Sequence, residues 1–468
     1  MKRLFLIILS FVIGFVTYPL SFTSSEIDTD FTVTECNYPS ENIFADGGNV
    51  QPDSDGLYEI SDSLKIIIDD SECGWFNYYG VSYSSDTYLK GIMTYRAGVK
   101  EKSEEFFVEP AVNSDFHSFI DNCLDGTKAN ALISVELIPL NNEKANVKIN
   151  GVTVFNREIP DREVYISNEN YKIGVDLLWG GALSYMEDLN SDVQAVKHDG
   201  RIKVDSDASE RYGTASVNDN VNLINRYDPG RLVQQSYYGT YDCDEYESGV
   251  FMDNVWNYNP VQGGNQFGDS SKIVDLRIDD SSIYIKCRPL DWAKEKEFIT
   301  PSYMEATYRF EGNLVHASCR FVDYSGYPDY YTSQEIPAFY CIEPFNRYVY
   351  YAGDKPWTND ELTIEPELIF WPDAGYPNFD SSENWSAFIG EFDDSFGIGL
   401  YVPNETRFLS GVCEREKTTN KDPSKDMTTS YIALVKFMDF RSYSPIEYEY
   451  YLASGNTDEI RTSFSTLK

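Results

Sequence analysis

Apolar and polar residues alternate with period two along most of the chain, the pattern of half-buried β-strands. In Leu314–Tyr324, Val315, Ala317, Cys319 and Phe321 fall on one face, and His316, Ser318 and Arg320 on the other. Lys272–Ile278 sets Val274, Leu276 and Ile278 against Ile273, Asp275 and Arg277. Ser282–Cys287 sets Ile283, Ile285 and Cys287 against Tyr284 and Lys286, and Ile446, Tyr448, Tyr450 and Leu452 alternate with Glu447, Glu449 and Tyr451. Turn chemistry separates these runs. Asn150-Gly151, between Val147-Lys148-Ile149 and Val152-Thr153-Val154, predicts a hairpin. Asp199-Gly200 and Glu311-Gly312-Asn313 predict further turns. Helical pattern is sparse: Phe116–Leu124 predicts a short helix, and Asn456–Ile460 a capped helix start with acids in its first turn. The fold class is therefore mostly β and antiparallel, with a few short helices.

The pattern breaks near residues 160–170, at Pro160-Asp161-Arg162. Residues 28–160 read as short strands and turns, enough for one accessory β-sandwich, and residues 165–468 continue without an obvious break. Asp53-Ser54-Asp55-Gly56 is too short a match to an EF-hand loop to count. Lys2 and Arg3, followed by an apolar run from Leu4 that fades into Ser21, Thr23, Ser24 and Ser25, predict a signal peptide over residues 1–25, and hence secretion. An uncleaved anchor is the alternative. A spanning helix needs about 20 predominantly apolar residues; no second run of that length follows, so no membrane span is expected once the leader is removed. The eight cysteines show no C-x-x-C spacing, and no disulfide pairing is assigned. Three separated histidines argue against a multi-His zinc site. No metal site and no cofactor is predicted; a structural calcium stays open.

The chain carries 76 acidic and 38 basic residues. Loss of Lys2 and Arg3 with the leader would take the net charge from −38 to about −40. Such a field repels nucleic acid and anionic surfaces, and weighs against a polyanionic substrate. Aromatics make up 15% of the chain, with 36 Tyr, which excludes a disordered chain. Tyr presents a flat apolar face and a polar tip. That suits sugars, whose C–H faces stack on rings while their hydroxyls seek polar partners; it equally suits a half-buried sandwich face. No G-x-S-x-G, H-E-x-x-H or P-loop string occurs, which sets aside serine hydrolases, zincins and NTPases.

Four segments carry candidate chemistry. Asn222–Gly239 packs Asn225, Asp228, Arg231, Gln234, Gln235 and Tyr238 around an Asp228-Pro229-Gly230 turn. From Arg231 a strand places Leu232, Gln234, Ser236 and Tyr238 on one face. Amides and guanidinium there match a hydroxyl-rich ligand; the other reading is a buried polar network pinning two strands. Trp256–Phe267 offers Trp256, Asn257 and Gln262 in a Gly263-Gly264 loop, either a binding loop or an ordered crossover. Arg288–Arg309 pairs Asp291 with Trp292, and Tyr303 with Glu305, and Ser333–Phe339 sets Glu335 between Gln334 and Ile336. A carboxyl in apolar surroundings has a raised pKa and serves as acid or base. The catalytic candidates are Glu335, Glu305, Asp291 and His316, the last on the polar face of its strand. The substrate-binding candidates are Asn225, Asp228, Arg231, Gln234, Gln235, Tyr238, Trp256, Asn257, Gln262, Trp292 and Tyr303.

Tyr171–Glu187, with the string Gly180-Gly181-Ala182-Leu183-Ser184, resembles the opening of galactose-mutarotase-like β-supersandwich proteins. The chain is also similar to a group of secreted bacterial proteins carrying W-G-G-A-L-S-Y and D-x-G-R-L-V-Q-Q-S-Y-Y-G. The resemblance implies a large antiparallel β-supersandwich after a carbohydrate-binding-like sandwich, and a poly- or oligosaccharide on a concave sheet face. Family enzymes include epimerases, glycoside hydrolases and polysaccharide lyases. The mutarotase His–Glu pair finds no residue-by-residue match here. The expectation is a secreted glycan-degrading enzyme, a hydrolase ahead of a lyase; the alternatives are a non-catalytic glycan-binding protein and a cell-surface structural protein. Two carboxylates converging in one groove, about 5–5.5 Å apart for retention or about 6.5–9.5 Å for inversion, would favour hydrolysis.

Overall fold

The computed structural model describes residues 34–48, 50–68, 74–140, 144–190, 222–296, 298–365, 368–371, 377–390, 396–413 and 423–468. The leader expected at 1–25, Cys73, His198 and the Asp199-Gly200 turn lie outside the described residues. The described chain is mostly β, and no helix in it is long and apolar enough to cross a membrane.

The N-terminal strands form two sheets packed face to face. The first runs, in spatial order, Thr34–Glu35, Ala145–Phe155, Tyr78–Ser85, Ala111–Phe119, with Tyr58–Ile60 also on the Ala145–Phe155 strand. The second runs Ile43–Ala45, Leu64–Ile67, Ala131–Pro139, Leu89–Ala97, Lys100–Val108. Alternation makes the core: Tyr79, Val81, Tyr83, Val147 and Val152 from one sheet meet Leu89, Met93, Tyr95, Val135 and Leu137 from the other. Two expectations are corrected here. Asn150-Gly151 is no hairpin turn: the strand Ala145–Phe155 runs straight through it and absorbs the extra residue as a bulge. Phe116–Leu124 is no helix: Phe116–Phe119 ends a strand whose partners bury Phe116 and Phe119, and only Cys123–Asp125 forms a 3-10 turn, capped by Asn122.

From Glu163 onward two larger sheets form the second sandwich. The third sheet runs Glu163–Ser167, Tyr171–Asp176, Ala182–Asp188, Val233–Ser236, Tyr330–Ile342, Thr429–Phe440, Arg407–Cys413, Ile369–Trp371. The fourth runs Lys272–Ile278, Ser282–Arg288, Ser302–Glu311, Leu314–Asp323, Ile446–Gly455, Gly397–Tyr401, Trp385–Gly390, Phe345–Tyr350, Thr363–Glu365. Val315, Ala317, Cys319 and Phe321 face the interlayer core, as their alternation predicts, together with Ile283, Ile285 and Cys287. Tyr237 lies against Phe321 with ring centroids 4.1 Å apart. Lys272–Ile278 departs from strict alternation. A bulge between Ile273 and Asp275 leaves Ile273 and Leu276 in this core and turns Val274 into the N-terminal core. Cys287, Cys319 and Cys341 are free and pack as small apolar groups. The helix Thr457–Ser465 starts at the predicted cap: the Asn456 side chain takes the Glu459 N–H while the Glu459 carboxylate takes the Asn456 N–H. Its Ile460 and Phe464 pack on Trp385 and Tyr401.

The first sandwich docks on the outer face of the fourth sheet. Val274, Tyr303, Val322 and Tyr324 enter its core, and the Tyr303 hydroxyl accepts the Phe107 N–H at 3.0 Å. Asp275 is the polar centre of the junction: it accepts from the Tyr78 hydroxyl at 2.6 Å and from Arg157 at 3.3 Å, and pairs with Arg277 at 2.9 Å. Burial by itself raises this carboxyl, but Arg277 and Arg157 outweigh it and hold the group below its ordinary value. A lowered carboxylate pKa contributes stability above the unfolded value, and that stability is lost as pH falls through the folded value. Asp275→Ala should therefore cost about 1–3 kcal/mol at pH 7, chiefly by leaving the buried Tyr78 hydroxyl without its acceptor. Urea denaturation should show the deficit shrinking in acid. A midpoint unchanged at pH 7 would contradict this account of the junction.

Candidate functional site

The third sheet has a second face, turned away from the interlayer core, and strand parity decides what it carries. On Tyr330–Ile342, Phe339 and Cys341 point inward, so Ala338 and Tyr340 point outward. On Thr429–Phe440, Ile432 and Leu434 point inward, so Tyr431, Ala433 and Val435 point outward. Glu335 sits opposite Val435 and shares this outer face. Its carboxylate accepts from the Tyr238 hydroxyl at 3.3 Å and from the Tyr431 hydroxyl. Among the described residues no Lys or Arg pairs with it. Burial pushes the carboxyl above its ordinary value, with the two phenols acting in the opposite direction. Tyr340 packs on Tyr431, ring centroids 4.3 Å apart, and its hydroxyl lies in the fields of Glu335, Arg231 and Asp228.

Two loops wall this face. In the first, Asp228 closes the predicted turn by accepting the Gly230 N–H at 2.9 Å, and its second oxygen pairs with Arg231. The guanidinium lies over the Tyr227 ring at 5.2 Å. In the second, Trp256 meets Tyr238 edge-on at 6.4 Å, while Phe251 bridges Trp256 at 5.1 Å and Trp292 at 5.6 Å. The outward Gln234 holds the loops together: its amide N–H donates to the Pro229 carbonyl at 3.0 Å, and its oxygen accepts the Gly263 N–H at 2.8 Å. A Cβ on Gly263 would stand 2.1 Å from the Pro229 oxygen, so only glycine permits the approach. Further along the same two strands, Tyr331 (66% exposed) and Phe437 (53% exposed) lie on this same face, rings 6.1 Å apart.

Of the sequence candidates, Asp228, Arg231, Gln234, Tyr238, Trp256, Trp292 and Glu335 thus come together. The others do not join them. Asn225 is buried and donates to the Asp426 and Thr428 carbonyls at 2.9 and 3.3 Å. Asn257 is buried on the Gly239 carbonyl at 3.1 Å. Gln235 and Gln262 point into the interlayer core, and Tyr303 is part of the inter-sandwich junction. Asp291 is fully buried, accepting from Tyr246 at 2.9 Å and from Ala293 N–H at 3.0 Å, and burial pushes its carboxyl up to about 6. Glu305 and His316 point outward from the fourth sheet, so a full sandwich separates them from Glu335. Burial acts to raise Glu305, but Lys286 at 3.2 Å and Arg320 at 3.6 Å hold it low. His316 stacks on Tyr451 at 4.3 Å and contacts Glu449 and Glu311 at 3.0 and 3.2 Å; burial and Arg309 lower its pKa despite them. Sequence reasoning missed Tyr340, Tyr431, Tyr331 and Phe437. Their membership depends on cross-strand register, and the unbroken run Tyr431–Val435 hides which residues alternate. Among the described residues, no group of three or more His, Cys, Asp or Glu is placed to hold a metal ion.

No family model and no curated protein matches the chain. Among solved structures it is similar to a galactose mutarotase related enzyme from Lactobacillus acidophilus, at 11% identity over 64% of this chain and 99% of that one, with a TM-score of 0.34. It is similar to the GH36 alpha-galactosidase AgaA from Geobacillus stearothermophilus, at 10% identity over 64% of this chain and 41% of that one, with a TM-score of 0.33. A 4-alpha-glucanotransferase from Thermococcus litoralis shows 8% identity over 62% of this chain and 37% of that one, with a TM-score of 0.31. The resemblance to mutarotase-like proteins is partial, and the site rests on its own geometry.

A raised carboxyl pKa means that the folded state holds the Glu335 proton more tightly than the unfolded chain does. Stability from this group is then lost as pH rises from the unfolded to the folded value. Glu335→Gln should raise the denaturation midpoint at pH 7, and the gain should close below the ordinary glutamate pKa, where the wild-type group is protonated in both states. Melting curves from pH 4 to 8 test this; a variant less stable at every pH would contradict the desolvated carboxyl.

Proposed function

We propose that the chain is a secreted carbohydrate-active enzyme, a glycoside hydrolase ahead of a polysaccharide lyase, with its glycan along the outer face of the third sheet. The observation that carries this reading is Glu335, a carboxyl raised by burial and flanked by two phenols, with no cation paired to it among the described residues. Such a group keeps its proton to higher pH and can deliver it to a glycosidic oxygen as the C–O bond breaks. Asp228, across Tyr340 and beside Arg231, supplies the second carboxylate for a water or for the anomeric carbon. Trp256 and Trp292 provide apolar faces on the loop side. Strand residues advance about 3.3 Å each, which puts Tyr331 roughly 13 Å along the strand from Glu335, within reach of an extended oligosaccharide. The acidic chain supports a neutral glycan, and therefore hydrolysis over uronate elimination. The leader-like N-terminus supports secretion, and the same charge argues against nucleic acid as a partner.

One observation favours a second reading. The Asp228 carboxylate is already engaged by Arg231 and the Gly230 N–H, which suits a protein that binds glycan without cleaving it. The mature chain should be incubated with neutral and acidic polysaccharides, following reducing ends and the absorbance of unsaturated uronates. Reducing ends without absorbance are expected. Glu335→Gln should cut turnover by about 10²–10⁴-fold, the usual contribution of a positioned acid, while still melting cooperatively. Full activity in that variant would remove Glu335 from the mechanism; absorbance would establish a lyase; retention on immobilised glycan without turnover would establish the binding reading.

A further inference from the structure

A cavity of about 440 Å³ opens on the outer face of the first sheet, in the N-terminal sandwich and away from Glu335. Two strand irregularities meet at its floor. Gly80 sits in the interior of Tyr78–Ser85, where glycine weakens a strand and leaves nothing to pack. No left-handed conformation calls for it there. What requires it is space: a Cβ would stand 2.7 Å from the Thr153 hydroxyl and 2.8 Å from the His117 ring. In the paired strand, Gly151 next to the Asn150 bulge leaves the same floor without a second side chain. The side chains of Ser82, Asp115, His117 and Thr153 border the cavity, and none makes a hydrogen bond within the described protein. Glu35 and Asn37 form the opposite wall.

We infer that this cavity is a second sugar site, which takes a single neutral pyranose unit of a glycan. Its volume falls within the range of small-ligand pockets, about 300–1,000 Å³. Hydroxyl, amide and imidazole groups offer both donors and acceptors. The Asp115 and Glu35 carboxylates accept from vicinal hydroxyls and repel anions, and among the described residues no Lys or Arg lines the cavity to reverse that. Burial, with Arg277 and Arg157, lowers the His117 pKa against the pull of Asp275 and Asp115, which favours a neutral imidazole facing the ligand. The site stands on this geometry alone and is independent of the role given to Glu335.

The chain has three histidines, so the His117 ring signals can be followed by NMR in the full-length protein. The Glu335→Gln protein, in which no glycoside should be consumed, is titrated with the methyl β-glycosides of glucose, galactose, mannose and xylose, and with sodium glucuronate. At least one neutral glycoside should shift the His117 ring signals saturably, and glucuronate should not. Gly80→Val, which fills the floor, should weaken that binding at least tenfold. Asp115→Ala, a change at an exposed position that keeps the fold, should weaken it several-fold and decides the matter if the valine variant misfolds. No saturable shift with any of the four, equal binding by Asp115→Ala, or equal binding of glucuronate overturns the site. Because the readout is His117, such a result leaves the Glu335 reading untouched, and active Glu335→Gln protein leaves this one untouched.

Discussion

Two adjacent amides on one short strand hold the second sandwich and its outer face together. Gln235 points inward. It donates to the Glu305 carbonyl of the opposite sheet at 2.8 Å, accepts the Tyr237 hydroxyl at 2.9 Å, and exchanges backbone and side-chain bonds with Gln262. Gln262 in turn donates to the Gly180 carbonyl at 3.3 Å. A Cβ on Gly180 would stand 1.9 Å from the Gln262 oxygen, so the Gly-Gly turn exists to let this crossover in. Gln234 points outward and clamps the Asp228 turn to the Gly263 loop. Buried amides are costly when unsatisfied; here each has partners, and the same satisfied network that joins the two sheets also positions the loops that wall the groove.

That arrangement explains why Glu335 is desolvated and Glu305 is not free to act. Both are outward-facing glutamates on central strands, but their sheets cover them differently. Glu305 lies under the docked N-terminal sandwich, where Lys286 and Arg320 compensate its charge. Glu335 has phenols for neighbours, which hydrogen-bond to a carboxylate without neutralising it. A carboxyl of that kind costs stability as pH rises above its unfolded value. Asp291 and Asp323, also raised by burial, are surrounded by donors that fix Tyr246, Tyr258 and Ser442, and neither reaches the groove.

The sequence was most legible where one face is apolar and the other polar. Val315–Phe321, Ile283–Cys287 and the Asn456 cap sit as their patterns predict, because parity or a local hydrogen bond decides each. It was least legible where an irregularity is set by a distant partner. Asn150-Gly151 has the chemistry of a turn, yet the long neighbouring strand Tyr78–Ser85 pairs with both of its flanks and converts it to a bulge. The Asn222–Gly239 segment combined both candidate readings. Gln235 and Asn225 are the buried network, while Asp228, Arg231 and Tyr238 are the groove; the division follows strand parity and loop docking, which no local motif records. The acids could not be sorted from sequence at all, since Glu305 and Glu335 differ in the sheet that carries them, not in their neighbours along the chain.

The junction at Asp275 joins the two sandwiches. Tyr78, Arg157 and Leu276 tie the strand that floors the cavity to the first strand of the fourth sheet through hydrogen bonds and a buried carboxylate. A flexible linker between two sugar sites would let both engage chains of many lengths, with an effective concentration set by the linker. If both proposed sites take sugar, a junction held by these bonds limits that freedom, and one glycan reaches both only when it is long enough to span them. On that proposal the junction would favour long polymers over short ones, with no contact beyond those already made.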